Sequence, residues 1–105
     1  MSPRIILSPG ARANLQSAAR WYRRQDPDLS RRFEAQVWAT LLRIARHPYS
    51  FVRVYYVVHR ALVTRFPYSI YFTFDGNLVR VLGIRHQRRA DYVRTNRIND
   101  WQADE

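Results

Sequence analysis

The chain has 105 residues, 47% hydrophobic and 14% aromatic, which is enough for one packed core, too short for two, and inconsistent with wholesale disorder. Eighteen basic side chains against eight acidic ones give a formal net charge of +10, so an acidic partner is expected, either nucleic acid or an acidic protein. The absence of cysteine, with only three scattered histidines, excludes disulfides, a thiolate nucleophile and the usual metal-ligand spacings; neither a metal nor a cofactor is expected.

No apolar run approaches the roughly 20 residues that span a bilayer, and Met1-Ser2-Pro3-Arg4-Ile5 lacks the apolar stretch of a secretion signal. The expectation is a cytosolic, membrane-free single domain over residues 1–105. All 18 basic residues are arginine. Genomic codon bias would produce that imbalance, but it has a chemical consequence: a guanidinium clamps phosphate or carboxylate and does not shuttle protons.

Arg4-Ile5-Ile6-Leu7-Ser8 reads as a strand stopped by Pro9-Gly10. Ser8 can cap a helix with Pro9 at its first position, and Ala11, Leu15, Ala18 and Tyr22 follow on one stripe. Asp26-Pro27-Asp28 starts a second helix, with Leu29, Phe33, Val37, Leu41 and Ile44 along one side, joined by Trp38 and Leu42, until His47-Pro48 stops it. Trp38, adjoining this stripe, is therefore expected in the core or in the packing of the helical hairpin. Trp21 lies off the main stripe; core is the default reading, with an exposed protein contact as the alternative.

From Phe51 the apolar period changes to two, and Val52 to Val58 and Arg60 to Phe66 read as strands. His59 falls between them as a turn residue, and His47 at the helix stop reads as a cap. A clearer hairpin follows, in which Tyr68 to Phe74 turns at Asp75-Gly76-Asn77 into Leu78 to Ile84. Parity puts Ile70, Phe72, Phe74, Val79 and Val81 on the face that meets the helices. It puts Tyr71, Arg80, Leu78, Leu82 and His86 on the other. Residues 90–105, with Tyr92, Val93, Ile98 and Trp101 among charges, read as a short helix or a partly ordered tail. The fold class is α+β, β-α-α-β-β-β with an optional C-terminal helix: an antiparallel sheet packed against an N-terminal αα-hairpin, with one more strand if the two runs after Phe51 are separate.

The densest basic cluster is Arg85-His86-Gln87-Arg88-Arg89, extended by Arg94 and Arg97. Beside Tyr71 and Tyr92 it makes a phosphate-reading surface or a solvated charge run. RNA cleavage by the ribose 2′-hydroxyl needs a base, an acid and cations, roles open to His86, Tyr92 and Arg85. An unassisted tyrosine, with a pKa of about 10, is a weak acid for that task. The bland reading of His86 is a histidine satisfied at a strand end. Arg53, Arg60, Arg65, Arg80, Arg88 and Arg89 are further candidates for phosphate or target contact. No glycine-rich phosphate loop, paired carboxylate or nucleophile motif is present.

The succession Leu7-Ser8-Pro9, Ala11 and Leu15, Asp26-Pro27 before Leu29 and Phe33, His47-Pro48, Leu62 to Tyr71 through Phe66-Pro67-Tyr68, and Val81-Leu82-Gly83-Ile84-Arg85-His86-Gln87-Arg88-Arg89 resembles toxins of the RelE/ParE superfamily over about residues 4–90. The resemblance implies a growth-inhibiting toxin of a type II toxin–antitoxin system, neutralised by a cognate antitoxin acidic in its toxin-binding segment. RelE-like members cut messenger RNA on the ribosome; ParE-like members poison DNA gyrase. Arg85 falls where the ribonuclease branch has an arginine after a glycine, and Tyr92 falls near its tyrosine, offset by about one. The branch's middle-strand arginine corresponds to Ser69, and its lysines have no counterpart, with Arg53, His59, Arg60 or Arg65 as partial substitutes. Phe66-Pro67-Tyr68 and the His86-to-Arg89 ending resemble ParE-like chains more. The resemblance thus implies a gyrase-directed, non-enzymatic toxin, with an mRNA endoribonuclease as the alternative.

Overall fold

The computed structural model describes residues 3–89. Strand β1, Arg4–Leu7, passes through Ser8 into helix α1, Pro9–Gln25. Ser8 serves both elements: its hydroxyl accepts the Ala11 N–H at 3.0 Å and donates to the Leu82 carbonyl at 3.2 Å. Pro9 at the first helical position supplies a preset φ and no orphan N–H. Asp26 makes the next corner alone. Its N–H closes α1 on the Tyr22 carbonyl at 2.9 Å, and its carboxylate caps helix α2, Pro27–Arg46, by accepting the Asp28 N–H at 3.0 Å.

Past a single 3-10 turn at Pro48–Ser50, four strands follow: β2 Val52–Tyr55, β3 Val58–Leu62, β4 Tyr68–Asp75 and β5 Leu78–His86. A 3-10 turn at Gln87–Arg89 closes the described chain. The sheet order is β1-β5-β4-β3-β2, with β1 parallel to β5 and every other pair antiparallel. The α+β class and the helical hairpin are as expected, but the sheet is mixed rather than purely antiparallel. The helices carry the chain from one sheet edge to the other, and β2 to β5 meander back until β5 lies beside β1 in the same direction.

Two strands do follow Phe51, but with other bounds than expected: Tyr56, at φ 48°, turns the chain between Tyr55 and its partner Val58, inside the first expected run, and the second strand ends at Leu62 rather than Phe66. His59 is therefore not a turn residue. It pairs with Phe72 across β3 and β4, its imidazole stacked on the Phe72 ring at 5.4 Å. The next hairpin turns on Gly76 at φ 60°, which glycine adopts without the steric cost a Cβ would carry.

Tyr22, Phe33, Val37, Leu41 and Ile44 of the helices meet Ile70, Phe72, Val79, Val81 and Ile84 of the sheet in one buried core. Ala11, Ala18 and Ala19 let α1 lie close, and the Ser30 hydroxyl donates to the Ala19 carbonyl at 3.0 Å between the helices. Two expectations fail on α2. Trp38 and Leu42 are 50% and 52% exposed, since the core-facing stripe is the narrower Phe33-Val37-Leu41-Ile44 row. Trp21 is also 53% exposed instead of core.

The last strand departs from simple alternation as well. Phe72 pairs with Val81 but Tyr71 pairs with Gly83, so Leu82 is an extra residue and β5 bulges there. The bulge shifts parity, so Ile84 joins the helix-side core and His86 pairs with Tyr68, whose ring lies against Tyr22 and Phe33. His86 thus projects to the helix side, not with Tyr71 and Arg80 as unbroken alternation requires.

Beyond Leu7 the edge of β5 is held by α1: the Asn14 Oδ1 accepts the Ile84 N–H at 3.0 Å. Replacing Asn14 with alanine strands this partly buried donor and is expected to cost about 1–3 kcal/mol. Chemical denaturation of Asn14→Ala, with Asn14→Asp retaining the acceptor, checks it; equal losses in both would show that the hydrogen bond is not the cause.

Candidate functional site

Cross-strand register defines the face of the sheet turned away from the helices. Arg60 pairs with Tyr71 and Tyr71 with Gly83; Ser69 pairs with Arg85, and Thr73 with Arg80. Ser69, Tyr71 and Thr73 alternate along β4, so Arg60, Arg80 and Arg85 stand on one face across β3 and β5. Beneath them Val58, Tyr71 and Leu82 form a small second cluster, at most 2% exposed, with Val54 and Tyr55 against it. Arg60, Arg80 and Arg85, each half-buried, thus form an arginine platform around Tyr71 on the face away from the helices.

A second feature lies where β1 has ended and the β5 edge opens beside α1. Here a cleft of about 600 Å³ is bordered by Asn14, Ser17, Trp21, Tyr22, Tyr68, Arg85, His86 and Arg88, among others. Its aromatic wall is continuous: Trp21 meets Tyr22 edge-on at 5.1 Å, Tyr22 meets Tyr68 at 6.2 Å, and Tyr68 meets His86 at 5.2 Å. Burial, then the neighbouring Tyr68 phenol, holds the Tyr22 hydroxyl protonated above its ordinary range. The His86 Nδ1 accepts the Arg88 N–H at 3.1 Å, which leaves Nε2 to carry the proton of the neutral ring.

The structure therefore brings Arg85, His86 and Arg88 to the cleft and Arg60, Arg80 and Arg85 to the platform, with Arg85 shared between them. Arg53 pairs with His59 near the far edge of the sheet. Arg65 sits at φ 69° in the β3–β4 connection, beside a groove with Leu29, Arg32 and Phe66. Arg89 belongs to the closing 3-10 turn, and Tyr92, Arg94 and Arg97 lie outside the described residues. Reading the sequence missed Asn14, Tyr22 and Tyr68 as site residues, because each looks like ordinary helix or strand packing until α1 is laid along β5. Trp21, off its helix stripe, was the available signal. Among the described residues no group of three or more His, Asp or Glu side chains is placed to hold a metal ion, and no helix is long and apolar enough to cross a membrane.

His59 faces the helix side, and its pKa is lowered by burial first and by the Arg53 charge, against the opposing hydrogen bond with the Val57 backbone. A folded-state pKa below the unfolded value of about 6.5 means that the unfolded chain binds the proton more readily. The neutral ring's contribution is complete above about pH 6.5 and is lost as pH falls from there through the folded pKa. The urea midpoint should therefore fall between pH 7.5 and 5.5, and His59→Gln should flatten that part of the profile. An unchanged pH slope in His59→Gln would assign it to other groups.

The sequence matches the family described as the ParE toxin of the type II toxin-antitoxin system parDE over residues 5–91, and the chain belongs to that family. The fold is similar to a chain of the solved chromosomal ParDE system from P. aeruginosa, with a TM-score of 0.71 at 15% identity over 81% of this chain and 96% of that one. No curated protein sequence matches.

Proposed function

We propose that this toxin arrests growth in the cytoplasm by inhibiting DNA gyrase without cutting RNA, and that an acidic segment of a cognate antitoxin neutralises it. The observation that carries this reading is the make-up of the sheet face turned away from the helices: Arg60, Arg80 and Arg85 surround a buried Tyr71, and neither His59 nor His86 is on that face. Such a surface binds anions, but among its described residues it has no side chain suited to take a proton from a ribose hydroxyl near neutral pH. Family membership and the net charge of +10 support an acidic protein partner.

Purified protein is expected to block ATP-dependent supercoiling of relaxed plasmid by gyrase, with activity restored by the antitoxin, while messages on translating ribosomes stay intact. Cleavage in the ribosomal A site that Arg85→Ala or His86→Ala abolishes, with gyrase unaffected, would replace this reading by the endoribonuclease one.

A further inference from the structure

We propose that the cleft between α1 and the open edge of β5 is a nucleotide-binding site, in which Trp21 stacks on a base and Arg85 and Arg88 hold its phosphate. The proposal goes beyond the gyrase reading and does not depend on it. Three features of the cleft point to this ligand chemistry.

First, the cleft brings two kinds of recognition into one lining. Trp21, Tyr22, Tyr68 and His86 form a row of rings in edge-to-face contact, successive planes inclined by 82°, 62° and 73°, and the same lining carries Arg85 and Arg88, with no acidic residue among the described lining. A base offers a π-face and a phosphate offers paired acceptors for a guanidinium fork, which is how nucleic acids are bound without sequence readout. Second, the volume of about 600 Å³ lies in the range of small-molecule sites and accommodates a nucleotide. Third, Trp21 leaves 53% of its surface in water although the neighbouring Ala18, Ala19 and Tyr22 are buried. Its edge-on contact with Tyr22 fixes the indole beside the cleft. The Asn14 carboxamide, whose oxygen is engaged by the Ile84 N–H, keeps its NH₂ for a ligand acceptor, and the exposed Ser17 hydroxyl lies on the same rim.

An acidic peptide satisfies the arginines equally well but gives no use for the face of the half-exposed Trp21 indole, on which a base can stack, so Trp21 decides for a nucleotide. The same chemistry could reach the cleft as a free mononucleotide or as part of a single strand, and the experiment separates the two. A protein of charge +10 binds any polyanion weakly wherever its arginines lie, so the test rests on a residue without charge.

The full-length protein is titrated with fluorescein-labelled eight-nucleotide oligothymidylate and followed by anisotropy, with thymidine monophosphate as an unlabelled competitor. Trp21→Ala is expected to weaken binding about tenfold, within the range of one lost base stack, and Trp21→Phe to recover most of it. Arg88→Ala should weaken binding and lower the salt slope by about one unit. Trp38→Ala is the control: Trp38 is equally exposed, at 50%, but lies outside the cleft, and its loss should leave binding unchanged. Competition by the monophosphate at millimolar concentration assigns the site to free nucleotides; competition only by unlabelled oligonucleotide assigns it to a strand. Equal binding by Trp21→Ala and the native protein, equal losses for Trp21→Ala and Trp38→Ala, or displacement of the oligonucleotide by an acidic peptide more readily than by either nucleotide form overturns the proposal. Circular dichroism confirms that each variant is folded before its affinity is interpreted.

Discussion

Replacing Phe33 with alanine is expected to destabilise the domain by about 3–5 kcal/mol, the largest loss foreseen for any single side chain. Its ring is wholly buried and meets Tyr22, Phe66 and Tyr68 at centroid distances of 5.0, 5.3 and 5.2 Å, so it joins both helices to the start of β4. The loss combines the transfer of the ring to water with a cavity that three neighbouring rings, each held by its own backbone, cannot close. Against a typical total of about 5–15 kcal/mol, that leaves a domain on the edge of unfolding at ambient temperature. Phe33→Leu keeps most of the volume and should cost about half as much or less. Trp38→Ala removes a larger side chain, yet should cost under about 1 kcal/mol because half of it is already in water. Urea denaturation of the three variants checks the order; a Trp38→Ala loss above that of Phe33→Ala would contradict the core assigned to this fold.

The second large effect concerns the platform. Changing Arg60, Arg80 and Arg85 together to glutamine is expected to weaken the antitoxin complex by at least about 3 kcal/mol, roughly a hundredfold in Kd. Three charge-assisted contacts at about 1.5–3 kcal/mol each would sum to more, and the lower figure allows for their non-additivity at one interface. The matched control changes Arg20, Arg23 and Arg24 on the exposed side of α1, which removes the same charge from the helical layer. If long-range steering alone attracts the partner, both triple variants should lose association rate equally and dissociation should be unchanged. If the platform is the contact surface, the Arg60, Arg80 and Arg85 variant should dissociate faster while the control does not. Calorimetry and stopped-flow measurements at two salt concentrations distinguish these outcomes, and retention of native affinity within threefold would exclude the platform as the antitoxin surface.

Much of the scaffold was legible because its signals are local. Ser8-Pro9 and Asp26-Pro27 each combine a side-chain cap with a residue preset for the first helical turn, and both caps form the hydrogen bonds their chemistry dictates. The β4–β5 hairpin announced itself by alternation and by Gly76. The β2–β3 turn gave no such sign. A tyrosine at φ 48° carries none of the composition that marks turns, and only the pairing of Tyr55 with Val58 requires it. The apolar stripe of α2 is wider than its packed face for a related reason: Trp38 and Leu42 are apolar and helically spaced, but the sheet meets only the row beside them, and hydrophobicity does not record which part of an apolar surface finds a partner.

The candidate site divides along the same line. Composition alone determined that this protein is a basic, cysteine-free chain whose surface chemistry is arginine's, and the order of caps, stripes and alternating runs determined an α+β chain with a helical hairpin and the strands around it. Tertiary structure decided how those arginines are shared out. Strand register gathers Arg60 and Arg80 with Arg85, although 20 residues separate Arg60 from Arg80 in sequence. The single extra residue at Leu82 sends His86 to the helix side, where Tyr68 and α1 complete a cleft around it. Local signals report the energetics of neighbouring backbone groups, whereas register and bulges are settled by the packing of segments distant in the chain, and a one-residue shift there exchanges one face for the other.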